Sequence, residues 1–105
     1  MSQFYIYSNL NKVSNQEFPY LLDIQSPLLS DLETRLVIPL ILQNTSKYKS
    51  FSKLTPIITI KNKQYLLLTP QMAGISKHDI GPEILDISSK RFEIISAIDI
   101  LITGF

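Results

Sequence analysis

Three stretches of this chain carry residue types that could do chemistry. The single histidine, His78, stands in "SKHDIG" beside Asp79. A histidine with a carboxylate neighbour can serve as half of a general acid–base pair. Adjacent loop residues have no fixed mutual geometry, however, and an ordinary loop histidine next to an acid has the same sequence. The second stretch, "SKYKSFSK", residues 46–53, interleaves lysines with Tyr48 and Phe51. Aromatics on a basic track can stack the bases of single-stranded nucleic acid. A solvated wing whose lysines keep a strand edge from pairing is composed alike. The third is the C-terminus, "SAIDILITGF", residues 96–105. Asp99 falls near the negative end of a helix dipole, where an exposed acid is unfavourable by ~0.3–1 kcal/mol. The Phe105 carboxylate adds a second negative charge, and no Lys or Arg follows Arg91. Local rules broken without local compensation often mark function. Gly104 suits a left-handed helix stop that would aim Phe105. Ile102 and Phe105 either plug the core or form, with Asp99, a docking tip.

The totals exclude several classes. The chain has 105 residues, enough for one domain, and that domain is expected to span 1–105. It has no cysteine, so disulfides, thiolate nucleophiles and zinc–thiolate sites are out; a reducing cytoplasm fits this composition. With one histidine, a metal would have to rest on scattered carboxylates, so neither a metal site nor a cofactor is expected. The three glycines match no phosphate-binding loop. Ten basic and nine acidic residues are scattered, with a net charge of +1, which lacks the clustered excess of a phosphate-backbone binder. The start "MSQFYIYSNL" does not read as a signal peptide. No window approaches the ~18 apolar residues of a membrane span.

The elements that must position these residues read as follows. "QFYIYS" and "FPYLLDIQ" are strands around the polar turn "NLNKVSNQE". "SPLLSDLETR" is a connecting loop, with Pro27 at a turn or first helical position and Leu28 and Leu29 as an apolar pair. "RLVIPLIL" is a buried strand in which Pro39 implies an edge or a bulge. Residues 43–53 read as a projecting loop or small β-wing. "LTPIITI", "KNK" and "QYLLLT" form a hairpin, and "PQMAGISKHDIGPE" is irregular. From about Ser88 the period becomes helical, with Ser88 or Ser89 as the cap. Ile94, Ile95, Ala97, Ile98, Leu101 and Ile102 share one stripe that packs on the sheet or a partner subunit; Phe92, Ser96, Asp99, Ile100 and Thr103 lie opposite. A stripe this wide exceeds what one small sheet face covers, so a symmetric dimer is expected. The predicted fold is α+β: an SH3-like small β-barrel of antiparallel strands with a small β-wing and a C-terminal α-helix.

"DIQSPLLSDLETRLVIPL" and "ISAIDILITGF" resemble the CcdB family of bacterial toxin–antitoxin systems, and "MSQFYIY" and "LTPQMAGI" agree with it. The resemblance covers nearly the whole chain and is weakest at the wing. It implies a cytoplasmic, homodimeric toxin that binds the A subunit of DNA gyrase and traps the cleaved gyrase–DNA complex. A CcdA-like antitoxin would neutralise it and, together with it, repress their operon, so operator DNA is met only through the antitoxin. No catalytic residue, cofactor or membrane is implied. The gyrase-binding positions correspond to Leu28, Leu29, Asp99, Ile102, Thr103, Gly104 and Phe105, the antitoxin-binding ones to Gln3, Phe4, Tyr7 and Ser26, and a dimer-interface position to Leu101. Three residues depart from the best-known plasmid toxin of the family: Thr103 stands in place of a tryptophan, Asp99 in place of an asparagine, and Phe105 in place of a smaller aliphatic end. The alternatives are an endoribonuclease toxin of the related MazF type and a domesticated, non-toxic relative.

Overall fold

The structure is a computed structural model and describes residues 1–45 and 53–104. Most of the expected wing, residues 46–52, and the terminal Phe105 lie outside the described residues.

Among the described residues the chain forms seven strands and one α-helix. The strands are β1 (Tyr5–Asn9), β2 (Tyr20–Asp23), β3 (Thr34–Leu42), β4 (Ile57–Ile60), β5 (Lys63–Leu67), β6 (Ala73–Ser76) and β7 (Ile80–Asp86), followed by α1 (Arg91–Thr103). Every pairing is antiparallel, in the order β4-β5-β3-β2-β1-β7, with β6 added beside β3. The sheet curls into a half-barrel capped by the helix, the α+β architecture expected of a small barrel.

The hairpin of β4 and β5 forms where the sequence predicts it. Lys61 and Asn62 turn the chain with φ of 51° and 66°, the left-handed pair that matches the twist of flanking strands. Two segments read as irregular are strands. β6 pairs Thr34–Val37 of β3 with Ala73–Ser76, and β7 pairs with β1 through two register shifts. Pro82 is accommodated because β7 is an edge strand next to such irregularities. Gly81 leaves room there for the side chains of Ser8 and Leu10, which a Cβ would force to shift, coming within 2.9 Å of the Leu10 Cδ2.

Pro39 overturns its expectation. It sits in β3, the most highly paired strand, opposite Leu21 of β2. On its other side β3 changes partner, from β6 at Thr34–Val37 to β5 at Leu40–Leu42. Pro39 falls between the two ladders. Its carbonyl still accepts from the Leu68 N–H at 2.9 Å, and its missing N–H falls where neither ladder asks for a donor.

Both faces of the central strands are covered, which is why "RLVIPLIL" reads as an unbroken apolar run. On one face Phe4, Ile6, Leu22, Ile38, Leu40, Ile58, Leu67 and Ile87 pack with Ile94 of α1. On the other, Tyr7, Leu21, Val37 and Ile80 form a second cluster. Phe4 takes φ of 64° to point into the first cluster, and its backbone is locked on both sides: its N–H donates to the Asp23 carbonyl at 2.7 Å, and its carbonyl accepts from Ile87 N–H at 2.9 Å. A left-handed phenylalanine persists only when its surroundings over-determine it.

Candidate functional site

Two elements carry the candidate contact residues. The first is the end of α1. Only Ile94 and Ala97 of this helix are fully buried. Phe92, Ile95, Asp99 and Ile102 follow one another at spacings of three and four, so they share one face. That face is exposed: Phe92 is 83% and Ile102 73% accessible, with Ile95 half-exposed at its flank. The expected stripe therefore does not pack on the sheet as a whole. The helix is rotated so that Ile95 and Ile102 leave the core and join Phe92 and Asp99 in solvent, while Leu101 lies part-exposed on the opposite side.

The helix stops as the sequence predicts. Gly104 takes φ of 79°, and its N–H donates to the Ile100 carbonyl at 2.9 Å. The Thr103 hydroxyl donates back to the Asp99 carbonyl one turn earlier at 2.6 Å, a second bond to that oxygen that turns the side chain onto the helix. No basic residue sits in that turn, so the exposed Asp99 carboxylate faces the negative dipole end without a counter-charge. The start of the helix differs from expectation. Neither Ser88 nor Ser89 caps it; both belong to a 3-10 turn, Ser88–Lys90, that precedes α1, and the N-terminal position falls on Lys90 without a side-chain cap. The Ser88 N–H is taken instead by the Asp86 carboxylate at 2.8 Å. Bonds from Ser88, and from the Tyr5 hydroxyl, hold Asp86 below the usual carboxylate range, and the same Asp86 pushes Tyr5 up.

The second element is the loop between β2 and β3. A 3-10 turn, Pro27–Leu29, presents Leu28 at 93% and Leu29 at 50% exposure. Pro27 takes the first helical position, and the Ser26 hydroxyl accepts the Leu28 N–H at 3.2 Å. Gln3 ties the N-terminal segment to the base of the same loop, donating to the Ile24 carbonyl at 3.2 Å. Ser26 thus stands beside Leu28, and Gln3 at the base of the same loop. Phe4 and Tyr7 are different: both are buried, Phe4 in the main core under the Arg91 guanidinium, 5.2 Å from the ring centroid, and Tyr7 in the second cluster, its hydroxyl accepting from Ser2 N–H at 2.7 Å.

Beneath the loop lies a group of residues that sequence reasoning missed. Arg35 and Asp23 are an ion pair at 1% and 0% exposure, with Arg35 Nε and Nη2 at 3.0 and 2.5 Å from Asp23 Oδ2. The other carboxylate oxygen accepts the Gln25 N–H at 2.9 Å. The signal was present in the sequence: a carboxylate and a guanidinium that border apolar strand runs must pair if they are buried.

His78 and Asp79 do not make a pair aimed at a substrate. They lie in a 3-10 turn capped by the Ser76 hydroxyl, where His78 is exposed and Asp79 accepts from the Asn11 side chain at 3.3 Å. Among the described residues no group of three or more His, Cys, Asp or Glu could hold a metal, and no helix is long and apolar enough to cross a membrane. A pocket on the face opposite α1, lined by Phe18, Leu21, Val37, Pro39 and Ile75, contains none of the candidate residues.

What the arrangement offers is contact surface: a helix end with exposed apolar residues around one acid, and a polar-braced loop tipped by two leucines. The family model described as CcdB protein matches residues 3–104 of the 105, taking in both elements and the whole sheet, and the chain belongs to the CcdB family.

Proposed function

We propose that this CcdB-like toxin binds the A subunit of DNA gyrase and traps the cleaved gyrase–DNA complex, acting in the bacterial cytoplasm as a homodimer. Gyrase is met by Leu28 and Leu29 on the β2–β3 loop and by Asp99, Ile102, Thr103, Gly104 and Phe105 at the C-terminus. Leu101 packs between the two protomers. A CcdA-like antitoxin neutralises the toxin at Gln3 and Ser26, with the buried Phe4 and Tyr7 shaping the surface beneath, and the two proteins together repress their operon. No chemical step is part of this reading.

The observation that carries it is the exposure of Ile102 and Leu28, at 73% and 93%. Two large aliphatic side chains at the tips of well-bonded turns fit contact anchors. The position of Ser26 against Leu28, with Gln3 at the base of the same loop, supports a second point: antitoxin and gyrase would compete for adjoining surface.

The test is a cleavage assay with purified protein, gyrase, ATP and plasmid DNA, the covalent complex being trapped by detergent and protease. Linear DNA is expected with the full chain and not after deletion of Thr103–Phe105. Absence of linear DNA with the host's own gyrase sinks the reading. Cleavage of a mixed-sequence RNA would then favour the ribonuclease, and neither product would favour a non-toxic relative.

A further inference from the structure

The Pro27–Leu29 turn projects Leu28 almost entirely into solvent; besides the exposed Ser26 cap, it is held from below by a buried side chain. Gln25 is 7% exposed and uses both ends of its amide. Its Nε2 donates to the Leu29 carbonyl at 2.7 Å, at the last residue of the turn. Its Oε1 accepts the Leu36 N–H at 2.9 Å, on the strand that follows the loop. Its own backbone N–H donates to Asp23, which Arg35 holds on its other oxygen. The buried ion pair, the end of the turn and the returning strand are thereby joined through one residue. The loop's far side has a second tether, where Lys77 Nζ donates to the Ser30 carbonyl at 2.9 Å, but that bond is exposed and competes with water.

We propose that Gln25 is a positioning residue for partner binding, holding the Pro27–Leu29 turn in the one conformation that presents Leu28. The proposal rests on the reading of Leu28 as a gyrase contact. Gln25 itself touches no partner; it acts by removing the ordering cost that a free loop would otherwise incur on association. The amide is chemically required, because one group must donate to Leu29 and accept from Leu36 at once. Glutamate or methionine can do at most half of this.

The test uses Gln25→Met, of similar length and uncharged, in the full chain, alongside Leu28→Ala and the double variant. Two quantities are measured on folded protein: amide hydrogen exchange, and affinity for the gyrase A subunit. Exchange at Leu29, Ser30 and Leu32, whose amides close the turn, is expected to quicken about tenfold, while Leu22 and Leu40 in the sheet stay protected. A single hydrogen bond of ordinary net strength corresponds to about that factor. Affinity is expected to fall about tenfold in Gln25→Met, and Leu28→Ala is expected to cost less in that background than alone, since a misplaced side chain has less to lose. Losses that simply add, or unchanged exchange in the turn, overturn the proposal. If Leu28→Ala alone leaves gyrase affinity intact, the loop's place in the proposed function fails and the binding role of Gln25 fails with it. The exchange result then stands separately as a statement about the turn. If Gln25→Met does not fold, Gln25→Glu, which keeps the acceptor for Leu36 and loses the donor to Leu29, is measured in its place under the same criteria.

Discussion

Asp99 and the Asp23–Arg35 pair show how differently a charge behaves at the surface and in the interior. Asp99 is exposed at the carbonyl end of α1 with no cation in the last turn. A counter-charge from a partner would relieve the unfavourable dipole contact. Asp99→Asn is therefore expected to weaken gyrase A binding by roughly three- to tenfold while leaving stability unchanged or slightly raised. Full affinity and toxicity in Asp99→Asn would remove the anion from the mechanism. The Thr103 hydroxyl, in contrast, is turned back to the Asp99 carbonyl, so the side chain that stands in place of an aromatic serves the helix end. Asp23 and Arg35 are wholly buried. Arg35→Met leaves an unpaired carboxylate in the core and is expected to cost about 3–5 kcal/mol in urea denaturation. Replacing both, Asp23→Leu with Arg35→Met, should recover much of this stability. The double variant should still lose the loop, because Gln25 N–H then has no acceptor.

At the scale of the element, α1 separates stability from binding along its own length. Ile94 is fully buried against the sheet, and Ile94→Ala is expected to cost about 2–5 kcal/mol. Ile102 is 73% exposed, so Ile102→Ser should leave the melting temperature nearly unchanged and reduce gyrase binding. Equal effects of the two on thermal unfolding would mean that the helix end is core after all. The 3-10 turn before the helix carries a pH signature. Asp86 is held below its usual pKa by its bonds from Ser88 and from Tyr5. A depressed carboxylate stabilises the fold above its unfolded pKa, near 4, and the contribution disappears as pH falls through the lower folded value. Urea midpoints measured from neutral pH down to about pH 2.5 should fall less steeply below pH 4 in Asp86→Asn than in the wild type. Tyr5 behaves in the opposite sense: raised by the same carboxylate, it contributes below its ordinary pKa and loses that contribution as pH rises through the folded value.

For the molecule as a whole, the apolar face of α1 that the protomer leaves uncovered sets the expectation of a dimer. Phe92, Ile95 and Ile102 lie on one side of the helix and Leu101 on another, so solvent meets apolar side chains on two sides of α1. A two-fold pairing through Leu101 would cover one side and set two C-termini next to each other, leaving the other for gyrase. Sedimentation at micromolar concentration is expected to give twice the 12.0 kDa chain mass. Leu101→Arg should shift the protein towards monomer, and a stable monomer in the wild type would count against the arrangement.

What the sequence determined by itself is what depends on near neighbours. The β4–β5 hairpin was legible because Lys61-Asn62 suits a two-residue left-handed turn between alternating strands. The helix stop at Gly104, the Pro27 turn with its two leucines, and the α+β class follow in the same way from residues within a few positions of one another. Ile102 reads in the sequence either as a core plug or as part of a docking tip, and tertiary packing removes the plug for that residue: the rotation of α1 buries Ile94 and Ala97 and releases Ile102. Period alone cannot set that rotation, because an apolar helix offers more than one face to a sheet. Pro39 in a central strand depends on where β6 gives way to β5. The strands β6 and β7 depend on partners over thirty residues away, which override their weak local signals. Gln25 reads in the sequence as one more polar loop residue. Asp23 and Leu29 are near it in sequence, but only the fold brings Leu36 of β3 to its carbonyl oxygen and buries the whole group, because where β3 returns beside β2 follows register, and register is a property of the whole sheet.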